Sequence, residues 1–127
     1  MGSEKVEIVR GLYEGFRRGD AEAAFEYLDR DIVWVAERIG LPDMDRVYHG
    51  HDGVRTFWRQ WLSAWEEVAW EMQELSEVED GRVRVLIHQR NKGRETGIWV
   101  EQRPYEMLWT FAEGKIVRMD FRWAEPG

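Results

Sequence analysis

Glu101, Arg103, Glu74, Gln89 and Tyr105 are the residues most able to do chemistry in this chain, because strand patterning places each of them among apolar neighbours. Pairing segments around Asp80-Gly81, around Asn91 to Gly97 and around Ala112-Glu113-Gly114 sets Leu75 opposite Leu86, Glu71 opposite Arg90, Ile87 opposite Glu101, Val85 opposite Arg103, Met107 opposite Met119 and Tyr105 opposite Phe121. Asp80-Gly81 is taken as a two-residue hairpin turn and Ala112-Glu113-Gly114 as a three-residue loop. Side chains alternate across a strand, so this register gathers Val68, Trp70, Met72, Val78, Val83, Val85, Ile87, Trp99, Tyr105, Met107, Trp109, Val117, Met119, Phe121 and Trp123 on one face. Only Glu74, Gln89, Glu101 and Arg103 interrupt it. Desolvation by tryptophan and valine raises a carboxylate's pKa, whereas a nearby guanidinium holds it ionised, so Glu101 with Arg103, and Glu74 across Ile87, could supply an acid and a base. The competing reading is an ion pair of Glu101 and Arg103 that caps the open end, and a bulge between Trp70 and Val78 would turn Glu74 to solvent. Glu37 is a reserve reacting group or a solvated loop residue.

The elements that must position these groups follow from periodicity. Ile8, Leu12 and Phe16 predict a helix over 4–18, stopped by Gly19, and Asp20 is placed as the cap of a second helix over 21–28. Asp31 to Glu37 reads as a strand around Trp34. A third helix is predicted from Asp52 to Trp65, with Phe57, Trp58, Trp61 and Trp65 as a stripe that serves either as core or as cavity wall. Strands over 67–79, 82–90, 97–111 and 115–123 are long enough that they must coil, and a bent sheet covered by helices leaves a cone between the two layers. The opposite sheet face is wet except for a strip of Leu75, Leu86, Ile98, Val100, Leu108 and Ile116, which predicts a homodimer.

Size and composition bound the possibilities. The chain of 127 residues, 43% hydrophobic and 34% charged, is expected to be one domain over 1–127. A net charge of −7 with only local basic runs makes nucleic acid a poor partner. The absence of cysteine removes thiolate chemistry and the usual structural zinc sites, and His49, His51 and Asp52 are read as a capping turn rather than a metal site, so neither metal nor cofactor is expected. No apolar run spans a bilayer, and charges at Glu4, Lys5, Glu7 and Arg10 do not read as a secretory signal. The expected setting is cytoplasmic, with no membrane partner.

A helix ending in Gly19-Asp20, the strand Asp31-Ile32-Val33-Trp34, the run Tyr48-His49-Gly50-His51-Asp52-Gly53-Val54-Arg55 and the segment Glu113-Gly114-Lys115-Ile116-Val117-Arg118 together resemble the SnoaL-like branch of the nuclear transport factor 2-like (NTF2-like) superfamily. The resemblance implies an α+β fold, a conical pocket formed by three N-terminal helices on a strongly curved mixed or antiparallel sheet, and commonly a homodimer. The superfamily includes isomerases, cyclases, hydrolases, dehydratases and non-catalytic binders, so fold alone leaves function open. At the positions where the ketosteroid isomerase pattern carries its catalytic groups, this sequence has Ala36, Met107 and Leu12. Those roles are not carried over.

The leading expectation is a pocket for a mostly apolar, cyclic compound, with cofactor-free acid/base catalysis of isomerase, cyclase or hydrolase type by Glu101, Arg103 and Glu37. Tyr13, Trp34, Trp61, Glu74, Tyr105, Met107, Trp109, Met119, Phe121 and Trp123 are the expected ligand contacts. The alternative is a non-catalytic small-ligand binder or a dimeric scaffold.

Overall fold

The computed structural model describes residues 4–36, 46–63, 65–101 and 104–124. Helix α1, Glu4–Arg17, buries Val6, Val9, Leu12 and Tyr13 on one stripe, and its acidic first turn and basic last residue complement the helix dipole. Gly19, at φ +78°, lets the chain turn out of the helix, with the Asp20 amide donating to the Gly15 carbonyl at 2.8 Å. The next segment is not the expected α-helix. Ala21–Glu26 is a 3₁₀ helix, and Asp20 occupies the cap position without a side-chain capping bond. Six residues offer too few α-type hydrogen bonds to offset nucleation, so the segment takes the tighter form. Among the described residues there are thus two α-helices, not three.

Strands β1 (Leu28–Val35) and β2 (Val47–His49) lead into helix α2, Gly50–Ser63. That helix starts before Asp52, which lies in its first turn and pairs with Arg55 at 3.2 Å instead of capping it. Trp65, expected to end the helix, opens β3 (Trp65–Glu77). The remaining strands are β4 (Val83–Gly93), β5 (Trp99–Glu101), β6 (Tyr105–Ala112) and β7 (Lys115–Trp123). The sheet order is β2-β1-β7-β6-β4-β3, with β5 on β4; β1 and β7 run parallel and the other pairs antiparallel. It is therefore a curved mixed sheet in an α+β fold. No helix among the described residues is long and apolar enough to cross a membrane.

The turns differ from those expected, and the differences decide which face each side chain takes. In the first hairpin the Gly81 amide donates to the Val78 carbonyl at 2.9 Å and the Val78 amide to the Arg82 carbonyl at 2.8 Å, giving a three-residue loop with Gly81 at φ +84°. Leu75 consequently faces Val85 rather than Leu86, a slip of one residue, and lies against the core. Further along β3 the ladder skips Gln73, and Glu71 faces His88, a slip of two. The last hairpin closes through Glu113 and Gly114, at φ +51° and +80°, which is a two-residue turn of type I′. Glutamate is poorly suited to that backbone. Glu113→Asn should raise stability by about 0.5 kcal/mol, read by urea melts, because a left-handed β-carbon is penalised less in asparagine.

The expected outer strip does not form. Ile116 is turned inward by a bulge that skips Val117, Leu75 packs inside, and Leu108 is only 4% exposed. Ile98 and Val100 remain exposed with Trp99 at the β5 end of the sheet. The outer face instead carries ion pairs: Arg84 bridges Glu74 and Glu106, both at 2.6 Å, and Arg122 reaches Glu106 at 2.7 Å.

Candidate ligand pocket

Between the two α-helices and the concave side of the sheet lies a cavity of about 440 Å³. Tyr13 and Phe16 come from α1, three residues apart and so on one helical stripe. Phe57, Trp58, Trp61 and Leu62 come from α2 by the same spacing. From the sheet, Trp65, Val68 and Trp70 of β3, Ile87 and Gln89 of β4, Tyr105 and Met107 of β6, and Met119 and Phe121 of β7 close it. Glu66, Glu67 and Arg94 contribute charge to the lining. Arg94 donates from Nε to the Ser63 carbonyl at 3.0 Å, which ties the β4–β5 turn to the end of α2, and Lys92 holds Glu66 at 3.6 Å.

The aromatic wall is built by edge-to-face packing. The Tyr13 ring meets Phe16 at 5.5 Å, Trp70 at 5.6 Å and Trp109 at 6.0 Å, all edge-on. Trp34 sits behind it, packed on Phe57, Trp58 and Trp109. Arg17 covers the Trp70 ring at 4.2 Å.

The buried polar groups of this wall are uncharged. The Tyr105 hydroxyl donates to Gln89 Oε1 at 2.6 Å, and Gln89 Nε2 donates to Asn91 Oδ1 at 2.8 Å. Gln89 is 3% exposed and Asn91 fully buried. The Tyr13 hydroxyl points to the Met107 sulfur at 2.9 Å. Burial, reinforced by the neighbouring Tyr105, pushes the Tyr13 phenol well above its ordinary value, and burial does the same to Tyr105. Both stay protonated at neutral pH. They act as hydrogen-bond donors, not bases.

Of the expected ligand contacts, Tyr13, Trp61, Tyr105, Met107, Met119 and Phe121 line the cavity. Trp34 and Trp109 are fully buried behind its wall, and Trp123 packs on Tyr105 and Phe121 at 6.4 and 5.2 Å. Glu74 does not belong to the site: the bulge at Gln73 turns it outward, onto Arg84. Glu101 is also outside. β5 places Glu101 opposite Arg90 instead of Ile87, a slip of three residues, and its carboxylate, 65% exposed, lies 3.0 Å from His88 Nε2. Glu37 and Arg103 lie outside the described residues. His49 is exposed, while His51 Nε2 contacts the Leu28 carbonyl at 2.8 Å and its ring packs on Phe25 at 4.9 Å. Phe16, Trp70 and Ile87, absent from the expected contacts, were visible as apolar positions on the right stripes, whereas Asn91 fell in a presumed turn.

The sequence matches the SnoaL-like domain family over residues 9–119. The chain belongs to this family. Solved structures share the fold. The SnoaL-like chain is similar to TerC, co-crystallised with polyporic acid, at 24% identity with a TM-score of 0.81, covering 96% of this chain and 92% of that one. It is similar to an NTF2-like protein of unknown function from Burkholderia pseudomallei at 25% identity and a TM-score of 0.80, with coverage of 96% and 92%. A candidate SnoaL-like polyketide cyclase from Mesorhizobium loti matches at 22% identity and a TM-score of 0.65, with coverage of 92% and 97%. Among curated proteins, none matches the sequence.

Proposed function

We propose that this SnoaL-like protein binds a flat, mostly apolar, cyclic small molecule between α1, α2 and the sheet. The observation that carries the reading is a cavity of about 440 Å³ walled by tryptophan, phenylalanine and tyrosine rings, with a neutral amide–phenol relay as its buried polar feature. Rings of this kind take planar ligands by stacking and edge contacts, and the relay orients them. That TerC is co-crystallised with polyporic acid supports a small ligand here as well.

Binding is preferred over acid/base turnover for a chemical reason. A general base needs a group that is unprotonated near neutral pH, and the buried phenols are held protonated. Glu101, the carboxylate expected for the role, is on His88. The carboxylates that do line the cavity, Glu66 and Glu67, are solvent-exposed, and Glu66 pairs with Lys92 at 3.6 Å.

Titration of the intrinsic fluorescence with planar tricyclic compounds tests the reading, since Trp58, Trp61, Trp65 and Trp70 all line the cavity. Saturable quenching is expected. Val68→Trp, which enlarges a half-buried lining residue, should weaken binding at least about tenfold, the equivalent of roughly 1.4 kcal/mol, with the thermal midpoint little changed. Unchanged affinity in that variant would place the ligand elsewhere.

A further inference from the structure

The buried polar atoms without a partner, among the described residues, are Trp34 Nε1, Trp65 Nε1, Asn91 Nδ2 and Trp109 Nε1. All four are donors. A protein interior normally pairs such groups, and each one left unpaired costs on the order of 1–3 kcal/mol. Two of the four belong to the pocket: Trp65 is one of its lining residues, and Asn91 ends the relay that begins at the lining residues Tyr105 and Gln89.

The relay has a property that follows from counting hydrogens. With Tyr105 donating to Gln89 and Gln89 donating to Asn91, the amide nitrogen of Asn91 is left over. When both amides turn by half a rotation, Asn91 donates to Gln89, Gln89 donates to the Tyr105 oxygen, and the Tyr105 O–H is left over instead. Asn91 then has an unpaired oxygen where it had an unpaired nitrogen, so the two arrangements differ little in cost. In the second, the surplus donor belongs to a residue that lines the cavity. Burial keeps that phenol protonated, hence a donor. Together with the Trp65 N–H, the buried part of the cavity wall is rich in donors, the carboxylates of Glu66 and Glu67 lying at its exposed edge.

We infer that the molecule taken by this pocket presents an acceptor oxygen, a carbonyl or its equivalent, to the Tyr105–Gln89–Asn91 relay, and that Gln89 determines this preference. The inference rests on the binding function proposed above and adds the chemical class of the ligand. Gln89 is decisive because it alone both accepts and donates within the relay. A carboxylate in its place only accepts: it takes the Tyr105 O–H and an Asn91 N–H together and leaves no surplus donor for a ligand.

Fluorene and 9-fluorenone share one tricyclic skeleton and differ by a single carbonyl oxygen, so their dissociation constants at pH 8, read by tryptophan quenching, isolate the acceptor. The wild-type protein should bind fluorenone about tenfold more tightly than fluorene. In Gln89→Glu, and independently in Tyr105→Phe, which needs no buried charge to be accommodated, the ratio of the two constants should fall from about tenfold to about one. Equal constants in the wild type, as expected were an ordered water to satisfy the donors unaided, would overturn the inference and leave the pocket intact. A fluorenone preference retained in Tyr105→Phe would overturn it too. Failure of the wild type to bind either compound would overturn the pocket reading itself.

Discussion

Trp109→Ala should cost about 3–5 kcal/mol, enough to unfold much of the protein near its working temperature. Trp109 is fully buried on β6, where Val83 of β4 and Met119 of β7 face it across the sheet, and its ring is held edge-on by Tyr13 and Trp34. Removing the indole opens a void between α1 and the sheet that flanking rings, themselves locked in edge contacts, cannot collapse to fill. Trp109→Phe provides the contrast. It keeps most of the apolar volume, so its loss should be about 1.5 kcal/mol or less. Urea denaturation of the three proteins measures both numbers, and similar losses in both variants would refute the cavity argument.

The second large effect lies on the other side of the sheet, at Glu106. Its carboxylate is 8% exposed and receives Arg84 and Arg122 on separate oxygens. Burial pushes its pKa up, but the hydrogen bonds and charges of the two arginines outweigh burial, and the net shift is downward. A carboxyl whose pKa falls on folding stabilises the fold above its unfolded value, about 4.3, and loses that contribution as pH drops through the lower folded value. Glu106→Gln should therefore lose about 1–3 kcal/mol at pH 7, where charge-assisted hydrogen bonds are replaced by weaker ones. The gap between variant and wild type should narrow as the pH falls below the unfolded value of about 4.3 and the wild-type side chain itself becomes protonated. Chemical denaturation at pH 7, 5 and 3 follows that convergence; a gap independent of pH would mean the ionised carboxylate contributes nothing.

Much of this protein is legible in its residues. The apolar spacing of Val6, Val9, Leu12 and Tyr13, and of Val54, Phe57 and Trp61, places both α-helices and orients them toward the sheet. The inward set Tyr105, Met107, Met119 and Phe121 is also correct, although the register behind it is not. Met107 was placed opposite Met119 and stands opposite Phe121, a slip of two; Ile87 was placed opposite Glu101 and stands opposite Tyr105, a slip of four. An even slip returns every side chain to the same face, so the cavity wall survives the error.

Odd slips have the opposite consequence. β5 is displaced by three, which carries Glu101 from the pocket to His88, and one residue in the first hairpin exchanges Leu75 with Glu74. β5 and β6 are registered on β4 separately, offset by one residue, with Arg90 opposite Glu101 and Ile87 opposite Tyr105. Sequence by itself determined what the faces are made of, because alternation and helical spacing are local and each residue reports its own phase. Which face a charged residue occupies was decided only by tertiary structure. Turn length and bulges fix the phase between strands, and shifting that phase by one position inverts every side chain beyond it while leaving the local pattern unchanged.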